Sequence, residues 1–422
     1  MFDLDHLQEI WTALAKNRLR TFLTAFGVFW GIFLLMLLLG SGNGLKHGID
    51  AGFSGAATNS FFVWGMRTSK PFAGLLAGRS IEFTNADVEE LRRQVPEAKV
   101  IAPRLQLGGF RGGATVTRGI HTGAYTVMGD MPEIATIQSL AVSRGRFLNQ
   151  LDIADKRKVA VIGNRVREVL FEADEDPIGQ GIRINGIEFQ VVGLFRSRQS
   201  GNDGERDAET VFVPFSTFQQ AFNAANEVQW MAVTSVDGVP ASVAEEKVLE
   251  ILRSRHKVSP QDNRGIGHFN LEEEYAKIQG LFTGIKLLMW IVGVGTLAAG
   301  AIGVSNIMLI IVRERTKELG LRRAIGATPW KVQGQIVFEA VILTLGSGLL
   351  GLSAGVGVLE LVNRLLPGAG ASGEPQMFQN PSVTFEVALQ ALAVLVVSGV
   401  LAGFAPARRA VAITPMAALR SD

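Results

Sequence analysis

The stretch TFLTAFGVFWGIFLLMLLLG, residues 21–40, decides the class of this protein. It carries no charge, and its length matches that of a helix of about 20 apolar residues, which crosses the hydrocarbon core of a bilayer. Twelve of its residues are Leu, Ile, Phe or Val, which favours insertion by about 4–7 kcal/mol. A secretory signal peptide is the alternative, since Lys16, Arg18 and Arg20 precede the stretch, but the apolar part of a signal peptide usually ends after about 7–15 residues. We therefore predict a transmembrane helix.

Three further apolar stretches lie towards the C-terminus, at residues 287–312, 332–359 and 388–404. Glu339 is the one charged residue within them, and each stretch is long enough to cross a bilayer. The sequence thus predicts an α+β integral membrane protein with four transmembrane helices and a large α/β extracytoplasmic domain between helices 1 and 2.

Basic residues predict the orientation of the spans. The segment RERTKELGLRRAIGATPWK, residues 313–331, has six basic and two acidic residues, whereas the segment between the third and fourth spans has one basic residue, Arg364. Short basic loops stay in the cytoplasm. The basic residues Lys16, Arg18 and Arg20 before the first span, and those of the tail, place both termini there as well.

The segment between the first two spans reads as a globular α/β domain. KVAVIG, residues 158–163, is a short apolar strand, and the following residues 164–179 form a helix that then breaks. GIRINGIEFQVVGLF, residues 181–195, alternates like a hairpin that turns at Asn185 and Gly186.

Three other parts of this domain have interpretable patterns. Residues 84–91 begin a helix with Thr84 or Asn85 as its cap. Residues 197–209, rich in Gly, Asp and Ser, are predicted to be a mobile loop. Residues 270–288 contain no strong helix breaker, so a stalk helix is expected to continue into the second span.

Composition excludes several classes of function. A net charge of +2 is too small for a nucleic-acid footprint. The chain has no cysteine and five scattered histidines, so we expect no thiolate chemistry and no metal site. The membrane spans contain no pair of groups at catalytic spacing, and Glu339 alone is not a catalytic dyad. We expect no catalytic residue.

Small residues and amphipathic patterns suggest how the helices pack. Residues 1–20 have Leu4, Leu7, Trp11 and Leu14 at helical spacing, which predicts an amphipathic helix on the cytoplasmic surface. Pairs of glycines four residues apart allow helix backbones to approach closely. These pairs are Gly27 and Gly31, Gly351 and Gly355, and Gly399 and Gly403.

The loop between the second and third spans is predicted to contain a short helix. It runs from Thr316 to about Ile325 and ends at Gly326, a suitable residue just beyond a helix terminus. Thr328 and Pro329 then provide the cap and first position of the third span. Glu318 and Arg322 have the four-residue spacing that stabilises a helix.

The stretch SNIMLIIVRERTKELGLRRAIGATPWKVQGQIVFEA, residues 305–340, resembles the permease family that includes MacB, the lipoprotein-release permeases and FtsX. The terminus at residues 403–422 resembles the end of that family's proteins, and residues 145–195 resemble the periplasmic domain of the MacB branch. The resemblance implies a dimeric, ATP-driven machine in the bacterial inner membrane. Four spans per subunit pass motion to a periplasmic domain, and cargo need not cross the bilayer within the permease.

The resemblance also implies a set of ATPase-coupling residues in the cytoplasmic loop. We expect these to be Glu314, Arg315, Glu318, Gly320, Arg322, Ala324, Gly326 and Ala327.

No GxxxxGK[ST] motif occurs in the sequence, although MacB carries its ATPase on the same polypeptide. We therefore expect no cofactor on this chain, with ATP and Mg²⁺ bound by a separate ABC ATPase subunit. The other expected partners are a second permease chain, identical or different, and a periplasmic adaptor with an outer-membrane channel. The function that we expect is that of a permease subunit in an ATP-driven ABC export system, which moves a periplasmic or membrane-derived cargo. An FtsX-like regulator of a periplasmic partner such as a cell-wall hydrolase is the alternative function.

The predicted segments follow in chain order. They are a cytoplasmic amphipathic helix (1–20), transmembrane helix 1 (21–42), a periplasmic domain ending in a stalk helix (43–280), transmembrane helix 2 (281–312), a cytoplasmic coupling loop (313–331), transmembrane helix 3 (332–359), a short periplasmic loop (360–383), transmembrane helix 4 (384–405) and a cytoplasmic tail (406–422).

Overall fold

The computed structural model describes residues 18–53, 57–108, 113–138, 140–197, 202–365 and 378–412. Within these ranges the helices are α1 (Arg18–Phe53), α2 (Asn85–Gln94), α3 (Ile134–Ile137), α4 (Gln150–Ala154), α5 (Asn164–Leu170), α6 (Asn202–Ala208), α7 (Phe215–Ala221), α8 (Ala241–Arg255), α9 (Leu271–Glu314), α10 (Thr316–Ala324), α11 (Pro329–Leu365) and α12 (Phe385–Ala412).

The strands all lie between α1 and α9. They are β1 (Ser60–Gly65), β2 (Phe83–Thr84), β3 (Ala98–Gln106), β4 (Ala114–Arg118), β5 (His121–Asp130), β6 (Leu140–Gly145), β7 (Val159–Gly163), β8 (Gly181–Ile184), β9 (Ile187–Ser197), β10 (Thr210–Pro214), β11 (Glu227–Val228), β12 (Trp230–Ser235) and β13 (Ile266–Asn270).

The described chain divides into two compact units. One contains residues 50–280 and all the strands; the other contains the described parts of the four long helices α1, α9, α11 and α12 outside that range. Each of these helices is long and apolar enough to cross a membrane.

Eleven strands of the first unit form one mixed sheet in the order β10-β7-β9-β8-β4-β5-β3-β12-β1-β13, with β6 added beside β9. An additional parallel pairing of β10 with β5 closes six of the strands into a ring. Strand β12 lies antiparallel between β1 and β3, and β13 forms the other edge of this side of the sheet.

Several local predictions for this unit are confirmed. Strand β7 and helix α5 follow one another as expected, and β8 and β9 form an antiparallel hairpin in which Ile184 pairs with Ile187. Asn185 and Gly186 both have positive φ in the turn, as a tight hairpin requires. Thr84 caps α2 and exchanges hydrogen bonds with Asp87.

The predicted mobile loop at residues 197–209 is wrong in part, because α6 occupies Asn202–Ala208. Polar side chains hold this helix in place rather than leaving it solvated. The Ser197 hydroxyl donates to Asp207 at 2.7 Å, and the Thr210 hydroxyl donates to the carbonyl of Arg206 at 2.9 Å. Residues 198–201 of this prediction lie outside the described residues.

The long helices extend beyond the predicted membrane spans. Helix α1 continues from residue 42 to Phe53, and α12 continues through Pro406 to Ala412, into the predicted tail. Helix α9 runs without a break from Leu271 to Glu314, as the absence of helix breakers predicted. The predicted spans mark only the apolar stretches, and the helices continue into the polar residues that flank them, in α12 even through Pro406.

The core of the membrane unit lies around α1. Its buried residues follow helical spacing, which places them on one stripe: Val28, Ile32, Leu35, Met36 and Leu39. Many other large apolar side chains of the four helices, such as Trp30, Leu288 and Leu401, are exposed, which is the distribution expected where the surrounding solvent is lipid.

Three predicted segments lie wholly or partly outside the described residues. They are most of the amphipathic helix at 1–20, the part of the periplasmic loop at 366–377 and the tail from residue 413 onwards.

Candidate functional site

The predicted cytoplasmic helix is present as α10, separated from α9 by Arg315 alone. At its start, the Thr316 hydroxyl donates to the carbonyl of Arg313 at 2.7 Å. At its end, Gly326 has a φ of +106°, a backbone conformation that residues with a Cβ rarely adopt. Helix α11 then begins at Pro329. The structure confirms a short helix between two sharp breaks.

A chain of polar side chains connects α10 to the membrane helix α11. Glu318 pairs with Arg322 at 2.7 Å, and Arg322 Nη1 donates to Gln335 Oε1 at 3.0 Å. Gln335 Nε2 donates in turn to Glu339 Oε1 at 3.3 Å, and the same carboxylate oxygen lies 3.6 Å from Nη1 of Arg315. We call these five residues the α10–α11 polar chain. Arg322 lies near the end of α10 and Arg315 lies immediately before its start, so the polar chain holds both ends of α10 to α11.

Apolar burial and a second polar contact fix α10 further. Leu319 and Gly320 are buried on the inner side of the helix. Arg323 Nη1 donates to the backbone carbonyl of Val411, in the last turn of α12, at 2.6 Å. A cation near the C-terminal end of a helix is also favoured by the helix dipole. Helix α10 is therefore attached to two membrane helices.

The remaining predicted coupling residues lie around this attachment. The side chain of Glu314 and that of Ala324 are exposed, whereas Ala327 is partly buried. The Ala327 backbone N–H donates to the carbonyl of Arg322 at 3.0 Å, which completes the end of α10. The structure thus brings Arg315, Glu318 and Arg322 into one network and leaves Glu314 on the outer surface of the segment.

The predicted glycine pairs lie where long helices approach one another. A Cβ on Gly27 would lie 3.7 Å from Cα of Gly300, and one on Gly31 would lie 3.3 Å from the backbone nitrogen of Leu297, both on α9. On α11, a Cβ on Gly351 would overlap the carbonyl oxygen of Phe29 of α1.

The remaining predicted glycines also lie at close contacts between helices. A Cβ on Gly355 would lie 2.7 Å from Cβ of Met36, and one on Gly403 would lie 2.9 Å from Cα of Val337. A Cβ on Gly399 would overlap the hydroxyl of Thr344. The contacts place α1 between α9 and α11, while α12 packs against α11 nearer the start of that helix.

Sequence reasoning missed Gln335 as a member of the polar chain. Gln335 is one helical turn before Glu339, so its position on the same side of α11 follows from the sequence. Its contact with Arg322 does not, because that depends on the angle at which α10 returns to α11. The sequence identifies Glu339 as a lone charge within a span but does not identify Arg315 as its partner.

These features together define a multi-pass membrane protein with a periplasmic α/β domain and a short helix, α10, attached to two of the membrane helices. The family model described as MacB-like periplasmic core domain matches residues 21–251, and the one described as FtsX-like permease C-terminal matches residues 290–415. The chain belongs to the MacB/FtsX-type family of ABC transporter permeases.

Curated relatives are similar in sequence to nearly the whole chain. The pyoverdine export ATP-binding/permease protein PvdT of Pseudomonas entomophila is 29% identical over 99% of this chain and 60% of its own length. PvdT of Pseudomonas putida is 31% identical, also over 99% and 60%. The macrolide export ATP-binding/permease protein MacB of Vibrio parahaemolyticus is 27% identical, again over 99% and 60%. The chain therefore spans about three fifths of the length of these relatives.

A solved structure is also similar to part of the chain. The periplasmic region of MacB from Actinobacillus actinomycetemcomitans matches with a TM-score of 0.43 and 19% identity, over 54% of this chain and 95% of that one.

Proposed function

We propose that this chain is the permease subunit of an ABC exporter in the bacterial inner membrane, with both termini in the cytoplasm. It works with a separate ABC ATPase that binds ATP and Mg²⁺, and with a second permease chain. Motion of the ATPase passes through the membrane helices to the periplasmic domain, which moves a periplasmic or membrane-derived cargo. A periplasmic adaptor and an outer-membrane channel complete the path.

The observation that supports this proposal best is the attachment of α10. A cytoplasmic helix that only obeyed the positive-inside rule would need no fixed orientation. Here Arg322 and Arg315 hold it to α11 through Gln335 and Glu339, and Arg323 holds it to α12. A force on such a helix is passed to two membrane helices rather than absorbed by a loop.

The alternative is an FtsX-like regulator that uses the same motion to activate a periplasmic partner. The match of a MacB-like periplasmic core domain over residues 21–251 supports export instead. The names of the relatives, which refer to export of pyoverdine and of macrolides, support it as well.

Purification of the tagged chain from gently solubilised native membranes tests the proposal. We expect an ABC ATPase to co-purify, with ATP hydrolysis in the complex and none above background in the chain alone. ATP hydrolysis by the chain alone would contradict the proposal that a separate subunit carries the ATPase. A complex that activates a cell-wall hydrolase and moves no cargo would favour the regulator.

Orientation has its own test, because the natural sequence contains no cysteine. In intact cells made permeable at the outer membrane, Asn263→Cys should react with a membrane-impermeant maleimide. Thr328→Cys should react only after the inner membrane is opened, and the reverse pattern would overturn the assigned topology.

A further inference from the structure

A cavity of about 820 Å³ lies in the periplasmic domain beside the hydrophobic core, to which its lining residues Met128 and Phe212 also belong. Successive residues of a strand point to opposite faces. On β1, Phe61 and Val63 are buried in the core, whereas Phe62 and Trp64 line the cavity. The volume falls within the range of about 300–1,000 Å³ that is typical of small-molecule sites.

The walls of this cavity are mainly aromatic and continuous across neighbouring strands. Phe62 of β1 pairs with Phe269 of β13, and Trp64 pairs with Trp230 of β12. The large apolar side chains of the lining are Phe62, Trp64, Met128, Phe212, Trp230 and Phe269. Flat aromatic walls of this kind favour a ligand with rings of its own, which can stack on them.

Of the two charged side chains in the wall, Arg104 and Asp207, the first is already neutralised by a buried partner. Arg104 is only 4% exposed and donates to both carboxylate oxygens of Asp130, at 2.7 and 2.9 Å, while Asp130 is fully buried. The Arg104 guanidinium also lies 5.7 Å from the centre of the Trp230 ring. A charged ligand would have to compete with this bidentate pair, and separating a buried ion pair is strongly unfavourable.

Gln229, Gln138 and Asp207 of the lining also make polar contacts within the protein. Gln229 Oε1 accepts a hydrogen bond from the backbone N–H of Gln106 at 2.9 Å, and Gln138 Oε1 lies 3.5 Å from Arg104 Nη2. Asp207 accepts the hydrogen bond from Ser197 and adds a negative charge to the lining, which disfavours an anion.

We propose that this cavity binds an uncharged, ring-containing apolar molecule. Its role as a site for exported cargo rests on the proposed function, whereas binding itself does not. The site lies in the periplasmic domain, so a cargo of this class would enter it without crossing the bilayer.

A matched pair of probes tests the proposal on the full chain in phosphatidylcholine nanodiscs. N-phenyl-1-naphthylamine is uncharged, and 8-anilinonaphthalene-1-sulfonate has the same ring skeleton with one negative charge. The chain is labelled with 5-fluorotryptophan and followed by ¹⁹F NMR. Trp64 and Trp230 report on the cavity, and Trp30 and Trp290 on the membrane helices.

We expect the uncharged probe to shift the Trp64 and Trp230 signals in a saturable way, at a concentration at least tenfold lower than the sulfonate needs. Thr126→Phe, which fills the cavity from β5, should raise the apparent Kd for the uncharged probe at least tenfold. Thr122→Phe, at an exposed position of the same strand, should leave the Kd unchanged.

Two results would overturn the proposal. Equal or tighter binding of the sulfonate would contradict the uncharged ligand class. Shifts at Trp30 and Trp290 without saturable shifts at Trp64 and Trp230 would mean that the probe enters the bilayer only. Thermal unfolding of both Phe variants verifies that they are folded. No ATP or ATPase is present, so the outcome is independent of whether the chain acts in export.

Discussion

Arg322 of helix α10 donates a hydrogen bond from Nη1 to Oε1 of Gln335 on the membrane helix α11, at 3.0 Å. Gln335 Nε2 donates a second hydrogen bond to Oε1 of Glu339, and the same oxygen lies beside Nη1 of Arg315. This single amide therefore connects Arg322, near the end of α10, with Arg315, immediately before its start. The consequence is that α10 and α11 should move together.

The first prediction concerns that amide. Gln335→Leu keeps the size of the side chain but removes both hydrogen bonds, and a hydrogen bond to a charged group contributes about 1.5–3 kcal/mol. We expect the ratio of transport to ATP hydrolysis to fall about tenfold. The same fall is expected when ATP-dependent motion of the periplasmic domain is measured in place of transport. Hydrolysis and motion are measured together in a reconstituted complex. Gln333→Leu, two residues earlier on the same helix, is the control and should have little effect.

The second prediction concerns Glu339, which is 8% exposed. Glu339→Gln still accepts a hydrogen bond from Gln335, so most ATP-dependent activity should remain. Glu339→Leu leaves Arg315 and Gln335 without this partner and should reduce activity much more, since an unsatisfied buried polar group costs about 1–3 kcal/mol. Complete loss of activity in Glu339→Gln, with normal assembly, would favour a carboxylate that exchanges protons.

The third prediction compares two glycines of helix α11. A Cβ on Gly351 would overlap the backbone of Phe29, whereas a Cβ on Gly357 would have nothing within 4 Å. Gly351→Ala should therefore force α1 and α11 apart and destabilise the protein by about 1–3 kcal/mol, the typical cost of overpacking. Gly357→Ala should be neutral or slightly stabilising. Thermal unfolding in detergent measures both, and equal midpoints would contradict close packing at Gly351.

The fourth prediction concerns pH and the periplasmic residue Asp262. Its carboxylate accepts hydrogen bonds from the backbone N–H and the hydroxyl of Ser69, both at 2.7 Å, and from the N–H groups of Lys70 and Arg264, both at 3.0 Å. Burial opposes the charged form, but these hydrogen bonds dominate and lower the pKa of Asp262 from 3.8 to about 2.

A folded-state pKa below the unfolded value means that the stabilisation is present above about pH 4 and is lost as the pH falls towards about 2. Its size is about 2 kcal/mol, at about 1.36 kcal/mol for each pKa unit. Asp262→Asn should lower stability at pH 6 and have much less effect at pH 2.5. Denaturant unfolding at both values measures this, and an equal loss at the two pH values would contradict the assignment.

Much of the fold is predictable from the sequence, for reasons that particular residues make clear. The uncharged run at 21–40 and the Asn185–Gly186 turn are local signals, and both have the predicted structure. The helix at 202–208 was missed because its stability comes from contacts with Ser197 and Thr210, which a composition rich in Gly and Asp does not reveal.

The candidate site is predictable only in part. The C-terminal end of α10 and the start of α11 follow from Gly326 and Pro329, and the Glu318–Arg322 pair follows from helical spacing. The link from Arg322 to Gln335 depends on how two helices meet, and the cavity depends on strands from distant parts of the chain, such as β1 and β12. Periodicity describes single elements and does not specify such contacts.

We propose that residues 313–327 dock into the ATPase. Charge reversal in this segment tests the docking most directly. Glu318 is paired with Arg322 at 2.7 Å, and Glu360 near the other end of α11 is paired with Arg364 at 3.2 Å with the same four-residue spacing. Exposed pairs contribute about 0–1 kcal/mol, whereas truncating one partner of a desolvated pair in an interface costs about 2–5 kcal/mol. Glu360→Lys is therefore a matched control for Glu318→Lys.

The measurement is the affinity of the partner ATPase for the full chain in nanodiscs, compared between wild type, Glu314→Lys, Glu318→Lys and Glu360→Lys. We expect the Glu314 and Glu318 variants to bind at least about 30-fold more weakly, which corresponds to about 2 kcal/mol, and Glu360→Lys to bind like wild type. All variants should insert into the membrane normally. Wild-type affinity in both the Glu314 and Glu318 variants would contradict docking through this segment.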